Sequence, residues 1–416
     1  MISGADGDLI RRINTHRVLT EIRRRGEVAR VDIAAATDLS RATVTAVTAE
    51  LLEAGLIETA GEEERGETAP SGRGRPRVLL RLNPAACYVA GVKISMHQVA
   101  VWIADFAGEQ VRTAAIPVRA NRQAPGVIAD LVEDALRQAC VEAGLTLPQI
   151  SGIGLGVPGF IDFSNGVCHW SPVLGEGPVE LRTLMTERLE RPVFVDNDAN
   201  LATYAELWHG AGRGLENFVV VTVEHGVGMG AVIGGQLYRG SKGFGSEFGH
   251  SKIQRGGALC RCGQRGCIEA YVADYAILRE ASTFAPLRDV TDPHEVQLAL
   301  DRLAAAARGG DPQVCAIHER AGEILGLGIA NLINIFDPAA VILSGERMKL
   351  YEFYESAMLK AAQENALSVH RGRTPIRVNR WGDEVWARGA AALALHELFL
   401  PPLEQRQNPA QGAALG

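Results

Sequence analysis

The sequence lacks any uninterrupted apolar run of about 18 residues, the length a helix needs to cross a bilayer. Its opening residues, Met1 to Asp6, lack the basic-then-apolar pattern of an export signal. A cytoplasmic protein with no membrane partner is expected. An excess of basic charge is also missing. Lys and Arg number 42 against 49 Asp and Glu, a formal net charge of −7, so any nucleic-acid reading must rest on a local segment. The absent export signal and an odd cysteine count of seven argue against a disulfide framework. What the chain does have is a globular composition, 47% apolar and 22% charged, at a length of 416 residues that suits two or three structural units. Cys87, Cys140, Cys168 and Cys315 stand in apolar contexts and read as small core residues.

The first 84 residues read as a winged helix–turn–helix. Residues 9–25 have helical periodicity, with Ile10, Ile13, Val18, Leu19 and Ile22 on one side, and Gly26 ends the helix. A short helix follows over 30–37, then a longer one from Arg41 to about Ala54, with Val44, Val47, Leu51 and Leu52 as its buried stripe. Ser40 stands where an N-cap belongs and Gly55 closes the helix. Strands at 56–59 and 78–82 flank a polar stretch that ends at Gly72 to Pro76. In such an order the second helix of the turn enters the major groove. Ser40, Arg41, Thr43 and Thr45, at its start, are the candidate DNA contacts, with Glu50 and Glu53 at the far end. Arg73 and Arg75, between glycines at the wing tip, suit a narrow minor groove. Acids and bases balance in this segment, so the case rests on element order and arginine placement. A helical protein-interaction module with a solvated basic loop is the alternative.

From Tyr88 the pattern changes to α/β. Strands are expected at 88–93, 99–105 and near 112–118, then a helix near 127–143 and a strand leading to Gly159. The order recurs: strands at 218–224 and 229–238, the latter turning at Gly234-Gly235, then helices and a late strand at 340–345. A duplicated βββαβ unit predicts two lobes with a ligand cleft between them. The tail, 401–416, has a disordered composition.

The densest chemistry lies between Glu247 and Glu269. His250, Cys260, Cys262 and Cys267 offer the imidazole and thiolates that Zn²⁺ favours, enough to close a tetrahedral structural site. A cluster of loop cysteines without metal is the plainer alternative. This run resembles the zinc loop of the ROK family (repressors, open reading frames, kinases), which pairs E-x-G-H with C-x-C-G-x-x-G-C-x-E. Glu247, Gly249, His250, Cys260, Cys262, Gly263, Gly266, Cys267 and Glu269 fill every position. The resemblance implies the actin-like (ribonuclease H-like) sugar-kinase fold over about 85–400, in lobes of about 85–198 and 199–390 with a C-terminal helix returning. ROK repressors also carry a similar winged segment ending in Gly-Arg-Pro.

Asn197, Asp198, Ala199 and Asn200 match the family's N-D-A-N motif at a strand end, where α/β sheets bind ligands. The resemblance makes Asp198 the general base of a kinase and Asn197, Glu247, His250 and Glu269 sugar contacts, with His250 serving both metal and sugar. Gly159 would let backbone approach the ligand. Three departures redirect the reading. The family's kinase phosphate loop, D-x-G-G-T, is replaced by Lys93, Ile94, Ser95, Met96 and His97. Its second, G-T-G-x-G-x-G, begins here with Glu224 and His225 before Gly226, Gly228 and Gly230. Val173 stands where many members have a sugar-contacting Asn. Phosphoryl transfer needs positioned phosphates and Mg²⁺. The expectation is therefore a non-enzymatic, sugar-responsive repressor binding operator DNA as a homodimer or homotetramer, with structural Zn²⁺ and a sugar or sugar-phosphate effector. An ATP-dependent sugar kinase with an appended DNA-binding domain, using Asp198, is the alternative. A third reading is a sugar-dependent docking protein.

Overall fold

The computed structural model describes residues 4–62, 77–118, 122–175, 177–285, 293–382 and 384–399. The wing arginines Arg73 and Arg75 and the tail 401–416 lie outside the described residues. Among those described, no helix is long and apolar enough to cross a membrane.

The N-terminal unit comprises α1 (Gly4–Arg25), β1 (Val28–Ala29), α2 (Arg30–Thr37), α3 (Arg41–Glu53), β2 (Ile57–Glu62) and β3 (Val78–Leu82). Gly26, at φ +80°, stops α1, and Asp38, at φ 53°, ends α2. Ser40 caps α3 by accepting the Thr43 N–H at 3.1 Å. The strands form one antiparallel sheet ordered β1-β3-β2, so the expected hairpin gains a third strand. Val18, Ile22, Ile33, Val44, Val47, Leu51, Ile57 and Leu80 fill the core. Two apolar positions differ from the helical pattern. Ile10 is 57% exposed, because α1 overshoots the core at its first turns. Leu52 is only half-buried; Thr48 is buried in the stripe instead, its hydroxyl satisfied by Val44 O and by the Arg30 Nε–H.

The body repeats one pattern twice. The first lobe runs β4 (Tyr88–Ile94), β5 (Gln98–Asp105), β6 (Gln110–Pro117), α4 (Pro125–Glu142), β7 (Ile150–Val157), the hairpin β8 (Phe160–Asp162) and β9 (Val167–Trp170), α5 (Leu181–Leu189), β10 (Val193–Asn197) and α6 (Asp198–His209). The second runs β11 (Phe218–Val223), β12 (Val227–Ile233), β13 (Gln236–Tyr238), the Cys/His loop, α7 (Glu269–Val272), α8 (Asp274–Ala281), α9 (Pro293–Arg308), α10 (Pro312–Phe336), β14 (Val341–Ser344), α11 (Glu355–Asn365), β15 (Ile376–Val378) and α12 (Glu384–Leu398). The sheet orders, β10-β7-β4-β5-β6 and β13-β12-β11-β14-β15, are the same topology. In each, three antiparallel strands are followed by two parallel ones. The duplicated unit is therefore present, and each half continues it with a helix, a strand and a helix: α5, β10 and α6 in the first, α11, β15 and α12 in the second.

Helix α12 returns to lie on the first sheet. A Cβ on Gly91 would stand 1.8 Å from Ala387 O, and one on Gly154 1.8 Å from Ala390 O, so only glycine lets helix and sheet approach so closely. The winged unit is seated on this same layer. Val18 and Ile22 of α1 share one buried cluster with Trp102, Phe194, Leu201, Tyr204 and Ala390. At its edge the Arg23 guanidinium lies 3.5 Å from the Trp208 ring centroid. Arg213 Nη2 donates to Arg23 O (3.2 Å) and Arg24 O (2.6 Å), satisfying carbonyls at the end of α1.

Candidate functional site

The cleft chemistry is organised by the switch from β10 into α6. Asn197 caps α6, its Oδ1 accepting the Asn200 N–H at 2.8 Å, which leaves its amide N–H₂ to donate outward. Asp198 opens the helix. Its Oδ2 accepts from Lys93 Nζ at 3.1 Å, across from the central strand β4. Asp196, one residue earlier, faces inward: it accepts from Asn200 Nδ2 at 2.8 Å and pairs with half-buried Arg239 at 2.9 Å. Adjacent carboxylates thus have different tasks, one locking the strand end and one presented to the cleft.

Glu247 and Glu269 complete an acidic wall with Asp198. Burial, then the neighbouring carboxylates of Asp198 and Glu269, push the Glu247 carboxyl up to about 7. Glu269 is buried, and both its oxygens have protein partners. Oε2 accepts the Val227 N–H at 3.3 Å; Oε1 lies 3.3 Å from the Tyr275 hydroxyl and 3.4 Å from Cys260 Sγ. Glu269 therefore ties the cleft to the Cys/His loop as well as facing it.

The ligand atoms of His250, Cys260, Cys262 and Cys267 all lie within 4.8 Å of one another. Cys262 and Cys267 Sγ are 3.8 Å apart, and Cys260 Sγ is 3.7 Å from His250 Nδ1. Metal–sulfur bonds of about 2.3 Å in a tetrahedron require S···S edges of about 3.8 Å, so the donor set fits a four-coordinate metal ion. Lys252 Nζ donates to Cys267 Sγ at 3.0 Å and the Tyr275 hydroxyl to Cys260 Sγ at 3.5 Å, the outer contacts that thiolate ligands need. With Nδ1 toward the sulfurs, His250 Nε2 points to the cleft, 4.0 Å from Glu247 Oε2. No cysteine among the described residues is in a disulfide; of the four outside the cluster, Cys140 and Cys168 are buried in the core while Cys87 and Cys315 are only half-buried, and burial pushes the thiols of Cys87 and Cys168 up to about 12 and 11.

The loops around Ser95 and Gly226 have packing reasons of their own. Ser95 closes its turn by hydrogen-bonding both Gln98 N (3.1 Å) and Gln98 O (2.9 Å). His225 Nδ1 lies 2.9 Å from Asp274 Oδ2, which also accepts from Arg347. A Cβ on Gly228 would stand 2.8 Å from the Ala199 Cβ, and one on Gly230 2.0 Å from Thr203 Oγ1. Those glycines let β12 lie against α6. Gly159, at φ +130°, is required by the hairpin: a Cβ there would meet Trp170 O at 2.0 Å. Val173 is buried in the first lobe's core, and its side chain offers no polar contact.

On the winged unit, Arg41 and Thr45 are exposed at the start of α3. Ser40 and Thr43 hydroxyls bond each other at 2.8 Å, and Thr45 donates to Arg41 O at 2.8 Å. Glu50, at the other end, is neutralised by Arg11 at 2.7 Å.

Several positions escaped sequence reasoning. The ion pair of Lys93 with Asp198 joins residues 105 apart; its one local signal is a lysine inside an otherwise apolar strand. Tyr275 and Lys252, behind the Cys/His cluster, had no signal beyond nearness in the chain.

A winged helix–turn–helix seated on a two-lobed actin-like body, with an acidic cleft and a Cys/His cluster in its wall, defines a DNA-binding regulator built on a sugar-kinase fold. The sequence matches the ROK family over residues 89–397 and the winged helix-turn-helix DNA-binding family over residues 11–58. The chain belongs to the ROK family. It is similar to the xylose repressor of Caldicellulosiruptor bescii, 28% identical over 400 residues that cover 95% of this chain and 98% of the repressor. Glucokinase from Halalkalibacterium halodurans is 33% identical over 270 residues, 62% of this chain and 80% of the glucokinase. A solved ROK family transcriptional regulator, a homologue of the E. coli MLC protein, shares the fold at TM-score 0.77 and 23% identity, over 96% of this chain and 99% of its own.

Proposed function

We propose that this chain is a sugar-responsive transcriptional repressor of carbohydrate genes, working in the cytoplasm as a homodimer or homotetramer on a palindromic operator. Residues 1–84 would read the DNA through Ser40, Arg41, Thr43 and Thr45 in the major groove and Arg73 and Arg75 in the wing. Residues 85–400 would hold the sugar between Gly159, Asn197 and Asp198 on one side and Glu247, His250 and Glu269 on the other. Zn²⁺ on His250, Cys260, Cys262 and Cys267 would fix the His250 ring toward the sugar.

One observation carries this reading. Helix α6 begins at Asp198 in the cleft, is 12 residues long and ends beside Trp208, on which Arg23 of α1 rests. A rigid helix of about 18 Å thus joins the ligand site to the DNA-reading unit. A sugar that bridges the two cleft walls would shift α6 and with it the seat of α1. It changes DNA affinity only so far as it prefers one arrangement over the other.

Phosphoryl transfer has less support. Lys93 puts an ammonium beside Asp198, where a kinase needs a free carboxylate base and room for Mg²⁺. The named repressor relative aligns over almost the whole chain, including the winged unit, whereas the glucokinase aligns over less of it. A mobility-shift titration on DNA upstream of the protein's own coding region, with and without a panel of sugars, tests the proposal. Release of the DNA by one sugar is the expected result. A complex indifferent to every sugar, or no complex, would overturn it.

A further inference from the structure

The acids of the cleft can grip the hydroxyl rim of a sugar, but a sugar ring also has faces, covered by C–H bonds rather than hydroxyls. A face needs an apolar partner, since water is displaced from both surfaces and the C–H edge is attracted to the negative face of an aromatic ring. The β8–β9 hairpin supplies one. Phe160 follows Gly159 directly, and its ring centroid lies 6.5 Å from that of His250, the residue that links metal cluster and cleft. Phe160 is the cross-strand partner of Trp170, so the two side chains stand on one face of the hairpin, ring centroids 5.9 Å apart. Trp170 is 51% exposed despite being the largest side chain type, and Phe160 is half-buried beneath it. The backbone under this pair is held close by Gly159, whose missing Cβ makes room for the Trp170 carbonyl.

We infer that Phe160 and Trp170 form an aromatic wall of the ligand site and set its specificity for a cyclic pyranose with at least one face free of hydroxyl groups. The inference rests on the sugar-binding reading above and deepens it. The rim of the ring is read by Asn197, Asp198, Glu247 and His250, and the face by the two aromatic rings. An open-chain alditol keeps the secondary hydroxyls of its sugar, with one hydroxyl more in place of the ring oxygen, but has no ring face, so it can still hydrogen-bond the acids while it forfeits the wall. Half-exposed Trp170 is not part of the buried core, so its replacement spares the fold.

Titration calorimetry of the full chain with D-xylose, D-glucose, xylitol and sorbitol tests this. The wild type binds D-xylose or D-glucose, and neither matching alditol binds comparably. Trp170→Ala weakens the bound pyranose by about three- to tenfold, and Trp170→Phe restores most of the loss. Pyranose binding changes the tryptophan fluorescence of the wild type, and Trp170→Phe loses most of that change while still binding. Wild-type affinity in both Trp170→Ala and Phe160→Leu would overturn the wall, as would an alditol that binds as tightly as its pyranose. If Asp198→Asn abolishes binding while Trp170→Ala does not alter it, the pocket stands and the wall falls. If the wild type binds DNA but neither pyranose, the ligand class stated here is overturned, while the sugar reading itself falls only if every sugar of the mobility-shift panel is without effect.

Discussion

Lys93 Nζ and Asp198 Oδ2 stand 3.1 Å apart in the cleft, joining the central strand of the first lobe to the start of α6. The lysine side chain is 9% exposed and the aspartate 33%, so neither charge is well served by water alone. Each therefore depends on the other. Lys93→Met should destabilise the protein by about 1–3 kcal/mol, less than a fully buried pair because Asp198 is partly solvated. Lys93→Met combined with Asp198→Asn should recover part of that loss. Denaturant unfolding of the four proteins of the cycle measures the coupling; strict additivity would show the pair to be incidental.

The Cys/His cluster should hold one zinc ion per chain, countable by elemental analysis of the purified protein. Chelation, or Cys267→Ser, should lower the melting temperature and weaken sugar binding together, because the loop loses its closure and His250 its orientation. Unchanged sugar affinity after complete metal removal would separate the cluster from the pocket.

Trp208→Ala removes the aromatic seat of Arg23, a contact of about 0.5–2 kcal/mol. It stands at the end of α6 opposite Asp198 and touches α1 rather than α3. The expected phenotype is an uncoupled regulator that binds sugar and operator near wild-type strength, while sugar no longer alters DNA affinity. A full sugar response in this variant would rule out the α6 route.

Arg41→Ala and Arg75→Ala should each weaken operator binding and reduce its salt dependence by about one counterion, leaving sugar affinity unchanged. Titrations at matched salt decide this for each arginine separately. In the cleft, Asp198→Asn and Glu247→Gln should do the reverse, weakening sugar binding and sparing DNA.

His16, His209 and His396 lie close enough to Arg23 to feel its charge. Burial, followed by nearby arginines, lowers them to about 4, 3 and 3. A histidine held neutral in the fold but titrating near 6.5 when unfolded stabilises above pH 6.5. That contribution is lost as pH falls toward the folded value. Each ring can cost at most about 1.4 kcal/mol per pH unit below 6.5. The melting temperature should therefore fall steeply between pH 6.5 and 4.5, and His396→Gln should flatten the slope. A profile flat over that range would contradict the assignment.

Much of this architecture is written in short-range patterns. Gly26, Ser40 and Gly55 mark the ends of the helices of the turn because caps and positive-φ stops act within a few residues. The spacing of His250, Cys260, Cys262 and Cys267 brings four donors together because a glycine-containing loop closes over them. Strand periodicity was enough to show two copies of one unit, and both sheets have it. Periodicity failed where burial is decided by what lies opposite. Ile10 sits on the expected face of α1 but beyond the end of the core, and Thr48 is buried because Arg30 reaches its hydroxyl. The short β8–β9 hairpin, three and four residues long, was too brief to register as strands.

By itself, then, the sequence determined the order of the main elements, the helix caps and the donor set of the Cys/His loop. All of these are encoded by residues near one another in the chain. Tertiary structure decided which side chains meet. It set Lys93 against Asp198, Arg239 against Asp196, Phe160 against His250, and Arg23 against Trp208. These contacts join segments distant in sequence. Their energies come from burial and pairing that exist only once the lobes and the winged unit have closed on a common core.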